Sequence, residues 1–157
     1  MASPDNPITT PTITGGCYCN SIRYTITPPQ DTSLIRTSLC HCRNCKKFTG
    51  SPYGITTRLP IDALTIRPES LQYLKTHESD NGSGSKLTRQ FCGECGSGIL
   101  EYGEQAKEKW RYVFWGTLDE EGRADGRFGP KGEFFASQRA GWLAPVEGTF
   151  QKEKITE

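Results

Sequence analysis

Phe91-Cys92-Gly93-Glu94-Cys95-Gly96-Ser97 is the stretch from which the fold can be read. A Cys-x-x-Cys turn sets two thiolates on one ion, and zinc takes four such ligands tetrahedrally at about 2.3 Å. Gly96, directly after the second cysteine, lets the backbone fold back over the metal. Cys17 and Cys19 lie two residues apart, so in an extended segment both sulfurs point to the same side. Gly15-Gly16 before them permits a close approach. The two pairs together make a closed four-thiolate shell, the form of a structural zinc site.

The central stretch Ser38-Leu39-Cys40-His41-Cys42-Arg43-Asn44-Cys45-Lys46-Lys47 is different, because it offers three thiols, Cys40, Cys42 and Cys45, within six residues. A zinc held by three protein ligands keeps a fourth position for water or substrate. Arg43, Lys46 and Lys47 make the surroundings electropositive, which lowers thiol pKa and suits an anionic ligand. Spacing alone leaves the division of the thiols open. Cys40, Cys42 or Cys45 could instead join Cys92 and Cys95. His41 is a further candidate ligand, although its place between two cysteines on an extended segment turns it the other way.

The rest of the composition agrees with a chain that needs cross-links. It has 157 residues, the size of one domain, with 34% hydrophobic residues, 17 Gly and 10 Pro. No apolar run is long enough for a membrane span, and the N-terminus has neither the basic start nor the apolar stretch of a secretory signal. Thiols in such a chain stay reduced, so seven clustered cysteines point to metal before disulfides and the chain is expected in the cytoplasm. A net charge of +1, with no long basic block, argues against a nucleic-acid binder.

Alternating patterns predict strands at Ile22 to Ile26, Ser33 to Leu39, Tyr53 to Leu59, Leu87 to Phe91, Gly98 to Tyr102 and Trp110 to Leu118, with a short one at Leu71 to Leu74. Residues 77–86 are polar and glycine-rich and read as a flexible loop at a hairpin tip. Ile61 to Leu64 and Glu104 to Lys109 suit short helical turns, and no long amphipathic helix is present. The expectation is a mainly β fold with short helical turns, comprising a flexible N-terminal tail at 1–14, one zinc-binding domain at 15–150 and a C-terminal tail at 151–157.

Gly15-Gly16-Cys17-Tyr18-Cys19 followed by Ile22-Arg23-Tyr24 resembles the opening of the glutathione-dependent formaldehyde-activating enzymes, the family that includes centromere protein V. Cys40-His41-Cys42-Arg43-Asn44-Cys45 with Thr49-Gly50-Ser51 resembles its central motif, and Phe91 to Ser97 its third. Gly116-Thr117-Leu118-Asp119 and Ser137 to Trp142 are similar to its C-terminal part. The similarity spans about residues 15–150, and all seven cysteines fall on motif positions. It implies a compact fold of several small coiled antiparallel β-sheets. It further implies a structural zinc on Cys17, Cys19, Cys92 and Cys95, and a catalytic zinc on Cys40, Cys42 and Cys45. The implied chemistry is carbon–sulfur lyase chemistry, with glutathione as co-substrate and S-hydroxymethylglutathione as the adduct. The chain departs from the family where Ser137-Gln138-Arg139-Ala140-Gly141-Trp142 replaces a Ser-Lys-Ala-Pro-Trp stretch. Its loop 77–86 and the segment Gly122 to Lys131 are longer than usual.

Cleavage of a thiohemiacetal calls for charge stabilisation on the leaving sulfur and for a base at the hydroxyl. His41, Tyr53 and Glu94 are the candidate bases, and Arg43 and Lys47 the candidate contacts for glutathione carboxylates. The expected partner is a small thiol adduct, with a homodimer compatible with the reading. Two other functions fit the same residues: a different zinc-dependent elimination or hydration of a small metabolite, and a non-catalytic zinc-binding interaction module.

Overall fold

The computed structural model describes residues 10–82 and 84–155. The expected tail at 1–14 falls mostly outside these residues, but Ile13 and Thr14 already belong to strand β1 (Ile13–Gly16), and Ile13 is buried in the core. β1 pairs antiparallel with β2 (Arg23–Ile26), which pairs with β5 (Leu64–Ile66) to close a three-stranded sheet. The second sheet has eight strands. Its centre is β3 (Arg36–Cys40), β4 (Gly54–Pro60) and β9 (Trp110–Phe114). β8 (Gly98–Gly103), β7 (Lys86–Cys92) and β6 (Leu74–Asp80) extend one side. β10 (Pro130–Phe134) and β11 (Phe150–Lys152) extend the other. Pairing is antiparallel except along β10, which runs parallel to both β3 and β11.

The molecule is mainly β, as its alternating patterns require, and the described residues hold two short helices, α1 (Arg43–Thr49) and α2 (Glu120–Ala124), and several 3-10 turns. No described helix is long and apolar enough to cross a membrane. Several segments differ from the sequence reading. Ser33 and Leu34 lie in a 3-10 turn capped by Asp31, so the strand expected from Ser33 begins only at Arg36. The strand expected to run to Leu118 ends at Phe114, where Trp115 to Thr117 form a 3-10 turn, and Leu64 opens β5 instead of ending a helical turn. Leu71 to Tyr73 lie in a 3-10 turn that starts at Pro68, where the fixed proline φ favours helical entry, and the strand begins only at Leu74. His77 to Asp80 are the end of β6 rather than loop, and Asp80 pairs with Lys86, so the paired strands take in both ends of the expected loop. β10 and β11 have no alternating signature: β10 reads Pro-Lys-Gly-Glu-Phe and buries a carboxylate.

The core joins Ile22, Tyr24 and Ile26 of the small sheet to Leu59, Ile99, Leu100 and Val113 of the large one, with Leu118 and Phe128. Cys17 and Cys92 belong to that same cluster. Full burial of each such aliphatic side chain is worth roughly 1.5–3 kcal/mol. Outside the core, Arg23 forms an ion pair with Asp119, which also accepts the Thr14 hydroxyl at 2.5 Å. These bonds fasten β1 and β2 to the turn that follows β9.

Candidate functional site

The sulfurs of Cys17, Cys19, Cys92 and Cys95 lie within 4.8 Å of one another, as do those of Cys40, Cys42 and Cys45. The thiols are thus grouped four and three, and the alternative that a central cysteine joins Cys92 and Cys95 is not the arrangement adopted. Ligands on a tetrahedral zinc stand about 3.8 Å apart. The separations of 3.5 Å for Cys17–Cys19 and 3.8 Å for Cys19–Cys92 suit that geometry.

The first cluster is built by two turns. Gly16 is close-packed: a Cβ there would stand 2.3 Å from the Ile22 carbonyl oxygen. That room lets the chain reverse, so that Cys17 N–H donates to Ile22 O and Ile22 N–H donates to the Cys17 sulfur. Gly96 takes φ +78°, and its N–H returns to Cys92 O at 2.9 Å, the reversal expected after the second cysteine. Burial pushes the Cys92 thiol up to about 11. Burial acts the same way on Cys95, but hydrogen bonds from Ser97 and Cys19 outweigh it and draw that thiol down to about 6. Glu94, a candidate base, sits exposed in this turn, in the cluster opposite in character to the three-thiol one.

The three-thiol cluster stands where β3 runs into α1. Cys40 ends the strand, Cys42 caps the helix by accepting the Cys45 N–H at 3.4 Å, and Cys45 lies in the first turn. Gly50 in the left-handed region stops the helix, its N–H donating to Lys46 O at 2.9 Å. Hydrogen bonds from the Cys40 and Cys45 thiols, together with the backbone N–H groups of Cys45 and Asn44, hold Cys42 far below the ordinary thiol range. The hydrogen bond with Cys42 in turn raises Cys40 to about 12, and hydrogen bonds with Cys40 and then Cys42, with burial, raise Cys45 further still. Metal binding would require all three as thiolates.

His41 is turned away from the three sulfurs, as alternation predicts. It is 1% exposed, and its Nε2 donates to Glu133 Oε1 at 2.8 Å. Tyr53 packs edge-on against the same imidazole, with centroids 5.8 Å apart. His41 is thus engaged with Glu133 and does not join the three sulfurs as a ligand. Arg43 and Lys47 are exposed on α1. With Lys46, Gly50 and Gln138 they line an open concavity of about 610 Å³, and Lys46 Nζ donates to Gln138 O at 2.5 Å. Gln138, in the segment where the sequence departs from the family pattern, therefore lines this concavity. The hairpin tip reaches the same helix, with Asn44 Nδ2 donating to Asn81 O.

Two residues absent from the sequence reading stand beside the three thiols. Arg89 on β7 and Glu101 on β8 are directly opposite in register and form an ion pair, Nε to Oε2 at 2.9 Å. They line a small enclosed cavity together with Cys40, Cys45, Phe48 and Phe114. The Arg89 guanidinium lies 4.4 Å over the Phe48 ring, which stacks on Phe114 at 5.6 Å. Burial raises the Glu101 carboxyl above the usual range against the pull of Arg89. The signal in the sequence is one charge in each arm of a hairpin otherwise read as strand. Only the register, shifted by an irregularity between Gln90 and Phe91, places them opposite.

No curated protein matches the chain. The fold is similar to that of a solved Rhodobacter sphaeroides protein, 15% identical, with a TM-score of 0.52 over 73% of this chain and 92% of that one. The sequence profile of the glutathione-dependent formaldehyde-activating enzymes matches residues 12–138, a span that holds both cysteine clusters and the Arg89–Glu101 pair, and the chain belongs to that family.

Proposed function

We propose that the protein is a zinc-dependent carbon–sulfur lyase acting on glutathione adducts such as S-hydroxymethylglutathione, or on a closely related thiol adduct. The observation that carries the reading is the pairing of an incomplete thiol shell, Cys40, Cys42 and Cys45, with a cationic concavity on the same helix. A zinc held by these three residues would supply a Lewis acid at the substrate sulfur. Cys17, Cys19, Cys92 and Cys95 would hold a second, structural zinc, which their closed set and the place of Cys17 and Cys92 in the core favour.

The chain's own residues then divide the work. Arg43 and Lys47 attract the carboxylates of the tripeptide, and the concavity leaves room for its extended backbone. The carbon arm points inward, toward Arg89 and Glu101. As the carbon–sulfur bond breaks, its electron pair stays on sulfur, the carbonyl forms, and the hydroxyl proton passes to water.

The test is exchange NMR on the zinc-loaded protein with glutathione and formaldehyde at equilibrium. Faster interconversion of free and hydroxymethylated glutathione, lost in Cys42→Ser, is the expected result. An unchanged exchange rate at micromolar protein would sink the lyase reading.

A further inference from the structure

We propose that Arg89 and Glu101 read the hydroxyl on the sulfur-bound carbon, and so restrict the site to adducts whose carbon arm is no larger than a hydroxymethyl group. The inference rests on the lyase reading and deepens it by naming the residues that select the aldehyde.

The first support is unused hydrogen-bonding capacity. A guanidinium has five N–H donors. Arg89 is 8% exposed, and the hydrogen bonds of the described residues engage only its Nε, with Glu101 Oε2. Its two terminal nitrogens are not among the buried unpartnered atoms of the described residues, so they stay accessible and free to donate to a polar ligand that enters the cavity. Phe48 packs beneath the guanidinium, 4.4 Å from its central carbon to the ring centroid, and covers one of its faces.

The second support is the chemistry of the pair. Arg89 presents only donors and Glu101 only acceptors. A hydroxyl is both, so it accepts from Arg89 while donating to Glu101. A carboxylate on the same carbon would satisfy Arg89 but face the Glu101 charge.

The third support is space. The cavity beside Cys40 and Cys45 measures about 10 Å³, close to what one water needs. Phe48 and Phe114 bound it, and Gly54 lies so close to Cys45 that a Cβ there would be 3.0 Å from the cysteine's own. A methyl group in addition to the hydroxyl has nowhere to go without moving the stacked rings.

The test begins with the native, zinc-loaded protein, glutathione and three aldehydes. Relative to the uncatalysed rate, formaldehyde exchange should be accelerated at least tenfold more than exchange of acetaldehyde or glyoxylate. Equal acceleration of the three overturns the inference. Two variants then follow: Glu101→Gln, and Arg89→Met combined with Glu101→Leu, which removes both charges and leaves neither unpaired. On cobalt-loaded protein the visible band reports the sulfur ligand. Glutathione should shift that band in the variants at concentrations within about twofold of the native protein. In excess formaldehyde, where glutathione is held as its hydroxymethyl adduct, the band should titrate at least tenfold more weakly in the variants. If the variants bind the adduct as the native protein does, the residues do not read the hydroxyl, while the lyase reading stands. If native protein shows no band shift with glutathione, the lyase reading fails and this inference falls with it. Should the double variant lose metal, the aldehyde ranking on native protein decides.

Discussion

His41 and Glu133, each 1% exposed and joined by a 2.8 Å hydrogen bond, tie the three-thiol turn to a buried carboxylate on β10. Glu133 Oε2 accepts three further donors: Arg139 at 3.0 Å, the Val146 N–H at 3.0 Å and Gln151 at 2.6 Å. One side chain thus connects the strand that carries Cys40 to the segment that contributes Gln138 to the cationic concavity. Glu133→Ala strands four donors, and breaking a buried charged network costs about 3–5 kcal/mol. Glu133→Gln keeps the shape and part of the bonding, so its cost should be about 1–3 kcal/mol. Urea unfolding of the zinc-loaded proteins measures both. Equal losses for the two variants would mean that packing, not hydrogen bonding, sets the role.

The same network predicts an acid-labile contribution. Burial pushes the Glu133 carboxyl up, but the donors from His41, Gln151, Val146 and Arg139 prevail and hold it at about 2. A folded value below the unfolded one means stability that is fully present above about pH 5 and lost as pH falls toward 2. From the shift, the contribution is on the order of 3 kcal/mol. Acid release of zinc affects native protein and Glu133→Gln alike, so the difference between them isolates the carboxylate. That difference should shrink between pH 5 and pH 3, and a constant difference would contradict the assignment.

The sequence carries the cysteine groupings and the strands of the core because both rest on local spacing. Ile22, Tyr24 and Ile26 alternate with polar residues, and all three are buried. Gly15-Gly16 and Gly96 announce the tight reversals that present Cys17 and Cys95. What stayed hidden depends on contacts between distant segments. β10 is held by parallel pairing on both sides and by Glu133, whose four partners come from residues 41, 139, 146 and 151. Arg89 and Glu101 meet only through a register that local pattern does not specify. His41, Tyr53 and Glu94 are near the cysteines in sequence alone. In a β fold that nearness does not survive alternation: His41 adjoins two thiol residues and faces away from both.

The two thiol clusters should respond differently to loss of one ligand. Cys92 is fully buried in the hydrophobic core, whereas Cys42 is half-buried at the surface end of α1. Metal analysis should find about two zinc ions per chain. Cys92→Ser should lower the melting temperature by about 10 °C or more, since structural zinc binding is folding free energy. Cys42→Ser should keep the fold, retain about one zinc and lose activity. The reverse outcome, a folded and active Cys92→Ser beside an unfolded Cys42→Ser, would exchange the two roles.

Soft thiolate ligands favour zinc, and a set of three cysteines leaves a position for a fourth. A ligand that joins as a thiolate must release its proton, so glutathione binding to the zinc-loaded protein should show proton release below its thiol pKa. S-methylglutathione keeps both carboxylates but has no thiolate to offer. It should therefore retain only the electrostatic part, which Arg43 and Lys47 supply from exposed positions on α1. That part is screened by salt over about 10 Å at 0.1 M. Titration calorimetry in buffers of different ionisation heat separates the two contributions. Glutathione should bind at least tenfold more tightly than its S-methyl form at low salt, and the ratio should grow as salt rises. Equal affinities with no proton release would mean that the sulfur is not held at Cys40, Cys42 and Cys45, whatever the carboxylates do.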